Sequence, residues 1–256
     1  MDRAIYTASN GAARILEQQS VLSNNLANVN TPGFRAQMSQ YRSTPVVSPL
    51  INSADTTRVL TVATTADSNM EQGPFMTTGR DLDVAIQGEG WFAVRALDGA
   101  EAYTRAGNLQ RNADGLLVTS GGLMVLSENG QPIEIPDAAA IGIERSGGIN
   151  VLADGDAATE VQRVAKLKIG DPGDARMVRG DDGLFRAVNA QGQAVELPDT
   201  TLFTVVSGTL EGSNVSAAGN MVGLIQNARR FEMQMKIIQE LSSKEQNANS
   251  LLSSAG

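Results

Sequence analysis

Both ends of this chain carry the same periodic pattern of apolar residues, and that pattern limits the folds it can adopt. Near the start, apolar side chains alternate in steps of four and three, with Gln19 as a polar interruption: Met1, Ile5, Ala8, Ala12, Ile15, Leu22, Leu26 and Val29. This is the a/d spacing of a coiled coil, sustained for about four heptads. Asp2 is a suitable N-cap, and Pro32 within Asn30–Gly33 ends the pattern. We therefore expect a helix of about 27 residues, roughly 40 Å long.

The C-terminal end repeats this spacing. Its apolar positions are Met221, Leu224, Ala228, Phe231, Met235 and Ile238, and the pattern then drifts to Leu241, Ala248 and Leu252. Gly219 and Asn220 stand where the helix would begin. Either helix alone could be an ordinary amphipathic helix on a globular core. As a pair at opposite chain ends, they favour helices that pack on each other.

The outward face of the N-terminal helix is unusual for a solvated helix, because it carries few Lys and Glu. It holds small amides and hydroxyls instead: Thr7, Ser9, Asn10, Gln18, Ser20, Asn24 and Asn25. Such a face tolerates a second layer of protein contacts. We therefore expect the helical ends to pack on neighbouring subunits as well as on each other.

The middle of the chain is predicted to be β structure. Thr57–Ala63 is rich in β-branched residues and predicts an extended arm or hairpin, with a flexible linker as the alternative. From Asp81 onwards, apolar and polar residues alternate, and Trp91–Val94 follows a glycine turn. Turn dipeptides such as Asn129-Gly130 then recur. Hairpin chemistry at that spacing indicates an antiparallel domain, and no helical pattern is visible between 82 and 210.

Composition excludes several classes of function. The chain has no His and no Cys, which excludes His-based triads, His-bound metals, thiol nucleophiles and disulfides. Its net charge of −8 gives it no positive field for nucleic acid. No apolar run approaches the ~18 residues of a membrane span, and the start lacks the pattern of a cleaved signal peptide. An extracytoplasmic location, which the absence of Cys suits, would need another export route.

Three local motifs suggest chemistry but have simpler explanations. Gly88-x-Gly90-x-x-Ala93 matches a dinucleotide fingerprint, yet a strand follows where the fingerprint needs a helix. Asp81 and Asp83 share a strand face without an apolar pocket to raise a pKa. Asp154-x-Asp156 hints at a calcium loop but lacks its glycine. We therefore assign no catalytic, cofactor-binding or metal-binding residue and expect no enzymatic activity.

Four segments resemble the bacterial flagellar rod and hook family. They are Ser23–Arg35, Thr78–Phe92, Tyr103–Asn108 and Asn214–Glu232. Motifs of this length are specific, whereas residues 140–205 are not diagnostic. The opening Met1–Tyr6 and the segment Thr31–Gln37 are most similar to a proximal rod member.

The resemblance implies an α+β fold, in which N- and C-terminal helices form a coiled-coil layer and the centre is a mostly antiparallel β domain. The predicted domains are 1–33 (N-terminal helix), 34–80 (extended β arm or linker), 81–212 (β domain) and 213–256 (C-terminal helix). The implied function is a structural subunit of the proximal rod that self-assembles axially through its terminal helices and transmits torque. A distal rod or hook-type subunit is one alternative. A secreted β-domain binding module with a helical stalk, or a hydrolase using the acidic middle, is another.

The resemblance also implies partners, a location and an interface. The partners are proximal and distal rod proteins, further copies of the chain and the flagellar export apparatus, with no nucleic acid, small-molecule substrate or cofactor. The location is the periplasm-spanning rod of the basal body, reached by export without a cleaved signal peptide. The residues expected at the assembly interface are Ile5, Ile15, Leu22, Asn25, Leu26, Asn28, Asn30, Pro32, Gly33, Phe34, Met221, Leu224, Ile225, Ala228, Phe231, Met235 and Ile238.

Overall fold

The computed structural model describes residues 2–45, 59–63, 67–137, 140–152 and 162–254. They form two compact units. The helical unit comprises the described parts of residues 1–27, 37–67 and 216–256, and the β body comprises those of 28–36 and 68–215. The chain therefore passes between the units four times, at 27/28, 36/37, 67/68 and 215/216. The Asp154–Glu160 loop considered above lies outside the described residues.

The two predicted terminal helices are confirmed. Helix α1 spans Asp2–Ala27 and α2 spans Ala217–Ser254. Asp2 is thus the first described helical residue and not a cap before the helix. Helix α2 begins two residues before Gly219, because the Ser216 hydroxyl accepts a hydrogen bond from the Gly219 amide, as an N-cap residue does.

The helices of the helical unit pack antiparallel. The Asn227 side chain of α2 reaches the Ile15 carbonyl of α1, and Gln234 of α2 reaches the Ala8 carbonyl. Residue numbers therefore increase along α2 in the direction in which they decrease along α1. Within the predicted arm, β2 (Tyr41–Pro45) and β3 (Val59–Ala63) form an antiparallel pair of strands.

Half of the predicted apolar seam on α2 faces its partner helix, and half does not. Leu224, Phe231 and Ile238 are partly buried, whereas Met221, Ala228 and Met235 are exposed. Asn227 and Gln234 take the inward positions that we had assigned to Ala228 and Met235. The prediction failed there because it counted apolar side chains only, and an amide can also face a helix when it bonds to that helix's backbone.

The remaining strands are short, as expected for a meander with glycine turns. They are β1 (Gln37–Met38), β4 (Asp67–Ser68), β5 (Phe75–Thr77), β6 (Val84–Gln87), β7 (Trp91–Arg95), β8 (Glu101–Thr104), β9 (Leu109–Arg111), β10 (Leu117–Thr119), β11 (Met124–Val125), β12 (Ala140–Ile143), β13 (Gly148–Leu152), β14 (Gln162–Lys166), β15 (Ile169–Gly170), β16 (Arg176–Arg179), β17 (Phe185–Val188), β18 (Ala194–Val195), β19 (Thr204–Ser207) and β20 (Thr209–Glu211). Within the described ranges, no helix interrupts residues 82–210, as predicted.

The β body is antiparallel, which confirms the prediction. Its main sheet follows the order β16-β17-β8-β7-β11-β10-β9, with β15 on β7 and β18 on β17. A smaller sheet has the order β12-β13-β14, and two pairs, β19-β6 and β20-β5, complete the part of the body that the structure describes. The β20-β5 pair places Glu211 opposite Phe75. Residues just before α2 are therefore built into the body.

An aliphatic core lies between these sheets. Val84, Ile86, Phe92 and Ile149 are almost fully buried in one cluster, to which alternate positions of β6, β7 and β13 contribute. A second cluster forms around Trp91, whose ring centroid lies 4.6 Å from that of Phe185. Burying one such large side chain stabilises a fold by about 1.5–3 kcal/mol.

The two units should differ in local stability. In the helical unit the seam is thin, since Ala8 and Ala12 are its buried apolar residues in α1, whereas Val84 and Phe92 in the body lie in a continuous core. We expect amide hydrogens of α1 and α2 to exchange at least about tenfold faster than those of β6 and β7 in the monomer. Hydrogen exchange followed by mass spectrometry measures this ratio. Equal protection of both units would mean that the helix pair is as stable as the body.

Candidate functional site

The outward surface of the helical unit carries a set of exposed apolar side chains, here called the outer stripe. Its members on α2 are Met221, Val222, Ile225, Met233, Met235 and Ile237, and those on α1 are Tyr6 and Leu16. Ile225 is 56% exposed, and Tyr6 is 78% exposed. Single exposed apolar residues are ordinary, but a concentration of them on one helix is typical of a surface that another protein covers.

The structure divides the predicted interface residues into three groups. The exposed group is Met221, Ile225, Ala228, Met235 and Asn30. The partly buried group, most of which lies along the helix pair, is Ile5, Ile15, Leu22, Leu26, Asn28, Pro32, Leu224, Phe231 and Ile238. The buried group is Asn25, Gly33 and Phe34. The exposed group overlaps the outer stripe.

Asn25 is held within its own chain. Its side-chain amide donates to the Gln37 carbonyl at 2.9 Å and accepts from the Gln37 amide at 2.8 Å. The side chain is 5% exposed. The sequence places Asn25 at the assembly interface. In the structure, Gln37 of the same chain satisfies both polar atoms of the Asn25 side chain, which therefore needs no partner from another subunit.

Gly33 and Phe34 are internal residues of the β body. Gly33 has a φ of +70°, and a Cβ there would lie 2.3 Å from the carbonyl carbon of Arg105. The Phe34 ring lies under the Arg179 guanidinium, whose Cζ is 4.6 Å from the ring centroid. Their placement at an intermolecular interface was wrong, since the turn after α1 inserts into the body.

A buried ionic cluster lies next to this turn. Arg35 Nη1 is 2.6 Å from Glu211 Oε1, and Arg105 Nη1 is 3.1 Å from Glu211 Oε2. We call these three residues the anchor cluster. All three side chains are essentially inaccessible to water. The Trp91 ring adds a cation–π contact, with its centroid 5.2 Å from Cζ of Arg105 and 5.9 Å from Cζ of Arg35.

The anchor cluster holds two positive charges and one negative charge. Burial lowers the pKa of Arg105 to about 10, although Glu211 acts to raise it, and the Arg35 charge lowers it further. Arg105 also donates to the carbonyls of Gly88 and Ile86. Arg35 has fewer partners, since within the described part of the chain its Nε and Nη2 atoms make no hydrogen bond. Glu211 is therefore the group on which both guanidiniums depend.

Backbone hydrogen bonds also join the turn after α1 to the segment that contains Glu211 and precedes α2. The Gly33 amide donates to the Glu211 carbonyl at 2.8 Å, and the Asn214 amide donates to the Phe34 carbonyl at 3.3 Å. The Asn214 side chain accepts from the Ala36 amide at 2.7 Å. The segment that follows α1 and the segment that precedes α2 are thus bound side by side within the body.

Asp83, one of the two aspartates singled out in the sequence, is not arranged as an acid catalyst. Burial would raise the pKa of Asp83, but hydrogen bonds from Arg80 and Thr78 outweigh it and lower the pKa. An acid catalyst needs the opposite shift. Residues 91–95 form a strand, so Gly88-x-Gly90 lacks the helix of a dinucleotide site. Among the described residues, no cluster of acidic side chains could hold a metal ion.

A shallow groove on the body contains a lysine that is held in ion pairs. It has a volume of about 620 Å³ and lies between residues 127–134 and β14. Its Lys166 is held by Asp199 at 2.5 Å and by Glu128 at 3.4 Å. Hydrogen bonding to Asp199 raises the pKa of Lys166, which keeps it charged. Lys166 is therefore a paired cation and not a neutral amine that could act as a nucleophile or base. In the described helices, no segment is apolar and long enough to cross a membrane.

Sequence reasoning missed the three residues of the anchor cluster and the two inward-facing amides of α2. Arg35 and Arg105 lie within motifs quoted above, yet nothing local shows that they share Glu211 as a partner. Asn227 and Gln234 look like solvated amides of α2. Their spacing of seven positions was the available signal, because it places them on one face of the helix.

Family models match three parts of the chain. Residues 5–35 match a model described as flagella basal body rod protein. Residues 85–151 match the flagellar hook protein FlgE/F/G D1 domain, and residues 206–251 match the flagellar basal body rod FlgEFG protein C-terminal model. The matched parts include both terminal helices and the front of the β body.

Full-length relatives give the same result. The flagellar basal-body rod protein FlgF of Escherichia coli is 45% identical over 257 residues, covering 99% of each chain. That of Salmonella typhimurium is 44% identical over 256 residues, again with 99% of each chain covered. The rod protein FlgG of Agrobacterium fabrum is 35% identical over 252 residues, covering 92% of this chain and 94% of the relative.

Proposed function

The chain belongs to the family of flagellar basal-body rod proteins, and we propose that it is a structural subunit of the proximal rod. In this role it assembles with other axial subunits through its helical unit, and the β body gives each subunit its rigid bulk. The F-type character rests on two FlgF relatives, those of Escherichia coli and Salmonella typhimurium, which match at 45% and 44% over 99% of each chain, whereas the FlgG protein of Agrobacterium fabrum matches at 35%.

The outer stripe is the observation that carries the assembly mechanism. Helices α1 and α2 satisfy each other along one face and leave Met221, Ile225 and Met235 exposed on α2. Covering these side chains with helices of adjacent subunits would remove apolar surface from water, at roughly 25 cal/mol per Å². The heptad residues of α2 thus have two roles. The partly buried half packs on α1, and the exposed half joins subunits.

The anchor cluster supports the torque-transmitting part of the proposal. Load that enters through either helix reaches the segments of the chain that follow α1 and precede α2. The segments 33–36 and 211–214 are fixed in the body by backbone hydrogen bonds and by the Arg35–Glu211 ion pair. A drive shaft needs such rigid attachments, because a loosely held linker would absorb rotation without passing it on.

The proposed location is the flagellar basal body, and the proposed partners are proximal and distal rod proteins, other copies of this chain and the flagellar export apparatus. A thin helical seam suits export through a narrow channel, because little structure has to be undone. A hydrolase has less support, since Lys166 in the groove is held in an ion pair and the pKa of Asp83 is lowered. A secreted binding module has less support because the full-length relatives are rod proteins.

Replacing Ile225 with Glu tests the outer stripe. The side chain faces away from α1, so the variant should fold normally, with a change in unfolding free energy within about 0.5 kcal/mol. Burying the new carboxylate between subunits would be costly, so cells with this variant as their sole copy should lose swimming and rod assembly.

The matched control is Leu97→Glu, which places the same charge on an exposed leucine of the β body. It should leave both the melt and swimming unchanged. Normal swimming of the Ile225→Glu cells would refute the assembly role of the stripe without affecting the family assignment.

A further inference from the structure

The interface between α1 and α2 contains two amides where a coiled coil usually has apolar residues. Asn227 Nδ2 donates to the Ile15 carbonyl at 2.8 Å, and Gln234 Nε2 donates to the Ala8 carbonyl at 2.9 Å. Asn227 is only 1% exposed. The two donors are seven positions apart, and so are the two acceptors. The contacts therefore repeat once per heptad along the helix pair.

We propose that Asn227 and Gln234 are register determinants, which select one alignment of α2 against α1 from several that the apolar seam would permit. This inference concerns pairing within one chain and holds whether or not the chain is a rod subunit. Its basis is that buried amides tolerate only alignments in which each finds a partner, whereas aliphatic side chains accept many.

The acceptor side of the pair is built for close approach. Ala8 and Ala12 are small and buried, and a Cβ at Gly11 would lie 3.2 Å from Gln234 Nε2. The α1 carbonyls already accept their own helical hydrogen bonds, but each has a second lone pair for an outside donor. Small side chains therefore let the amides of α2 reach the backbone of α1.

Because the two amide side chains differ in length, a slip of the helices in either direction would mismatch them. The Gln234 side chain has one more methylene and extends across the space beside Gly11. The shorter Asn227 side chain donates to the Ile15 carbonyl. A slip of one heptad in one direction would bring the shorter Asn227 to Ala8. A slip in the other direction would bring the longer Gln234 to Ile15. Either slip leaves an amide poorly paired between the helices, at the buried Asn227 or at the partly buried Gln234, which costs free energy.

Register matters because the outer stripe spans both helices. A slip of one heptad moves α2 by about 10 Å along α1. Ile225 and Met233 would then be displaced relative to Tyr6 and Leu16 by that distance. Any surface that matches the stripe in one alignment would fail to match it in the other.

The absence of Cys from the chain allows a direct measurement of register. Spin labels on Ser20→Cys and Ser243→Cys, both at exposed positions, lie about 30 Å apart along the helix axes in the observed alignment. The test compares the full chain with two variants, as purified monomers. One exchanges the amides (Asn227→Gln with Gln234→Asn), and the other replaces both with Leu.

We expect one narrow distance in the unmodified chain and a second population, shifted by about 10 Å, in both variants. The Leu variant should also melt at a higher temperature, because the polar atoms are gone. Gln226→Leu changes an exposed amide of α2 and should keep the single native distance. If the exchanged variant loses its helical signal, the Leu variant decides alone. A single native distance in the Leu variant would overturn the proposal.

Discussion

Replacing Glu211 with Gln should lower the stability of the β body by about 3–5 kcal/mol, because two buried guanidiniums lose the carboxylate they share. Arg35 Nη1 lies 2.6 Å from this carboxylate, and Arg105 Nη1 lies 3.1 Å from it. A loss of that size should lower the midpoint of thermal unfolding by roughly 10 °C. Calorimetry of the full chain measures both quantities.

Because the anchor cluster has two cations and one anion, removing one arginine should cost less stability than removing Glu211. Arg35→Met removes one of two cations and leaves the Arg105–Glu211 pair balanced, so its cost should stay below about 2 kcal/mol. The exposed Glu134→Gln is the control for the substitution itself and should be neutral. An Arg35→Met variant that is as unstable as Glu211→Gln would contradict the view that the cluster carries a surplus positive charge.

Replacing Gly33 with Ala should be at least as damaging, with a loss of more than about 3 kcal/mol. The new Cβ would lie 2.3 Å from the Arg105 carbonyl carbon and 2.4 Å from the Ala106 amide nitrogen. Both are backbone atoms, which cannot rotate away as a flexible side chain would. The turn would have to leave its site, and the Arg35 guanidinium would leave with it.

Gly99 provides a matched control for this prediction. It also has a positive φ, of +84°, but no atom lies within 4 Å of the place where its Cβ would stand. Gly99→Ala therefore measures the conformational cost alone, about 1–2 kcal/mol. Urea unfolding of Gly33→Ala and Gly99→Ala separates the cost of the backbone conformation from the cost of the steric clash. Equal losses would show that the close approach at Gly33 adds nothing.

Periodicity was enough to predict the two helices and the antiparallel body. The steps of three and four at Ile5–Leu26 and the glycine turns after β6 are local signals, which the chain carries regardless of its partners. The Met221–Ile238 spacing likewise predicted a helix. It did not predict which of its residues face α1, because the same spacing serves both the intrachain seam and the outer stripe.

Long-range pairing explains what could not be predicted. Ala36 and Asn214 are bonded although 178 positions separate them, and Arg105 and Glu211 are 106 positions apart. No local pattern reports such contacts. This is why the sequence placed residue 34 at the start of an arm, whereas residues 28–36 belong to the body. Asn25 was misjudged for the same reason, since its partner Gln37 lies beyond the turn.

The four passages of the chain between its two units have a consequence for dividing the protein into parts. Two domains joined by one tether can be separated by a single cleavage of the chain. Here the β body is built from two separate segments and the helical unit from three, so no single cleavage releases either unit whole. A fragment that begins at residue 68 would lack residues 28–36, and with them Phe34 and Arg35 of the interior of the body.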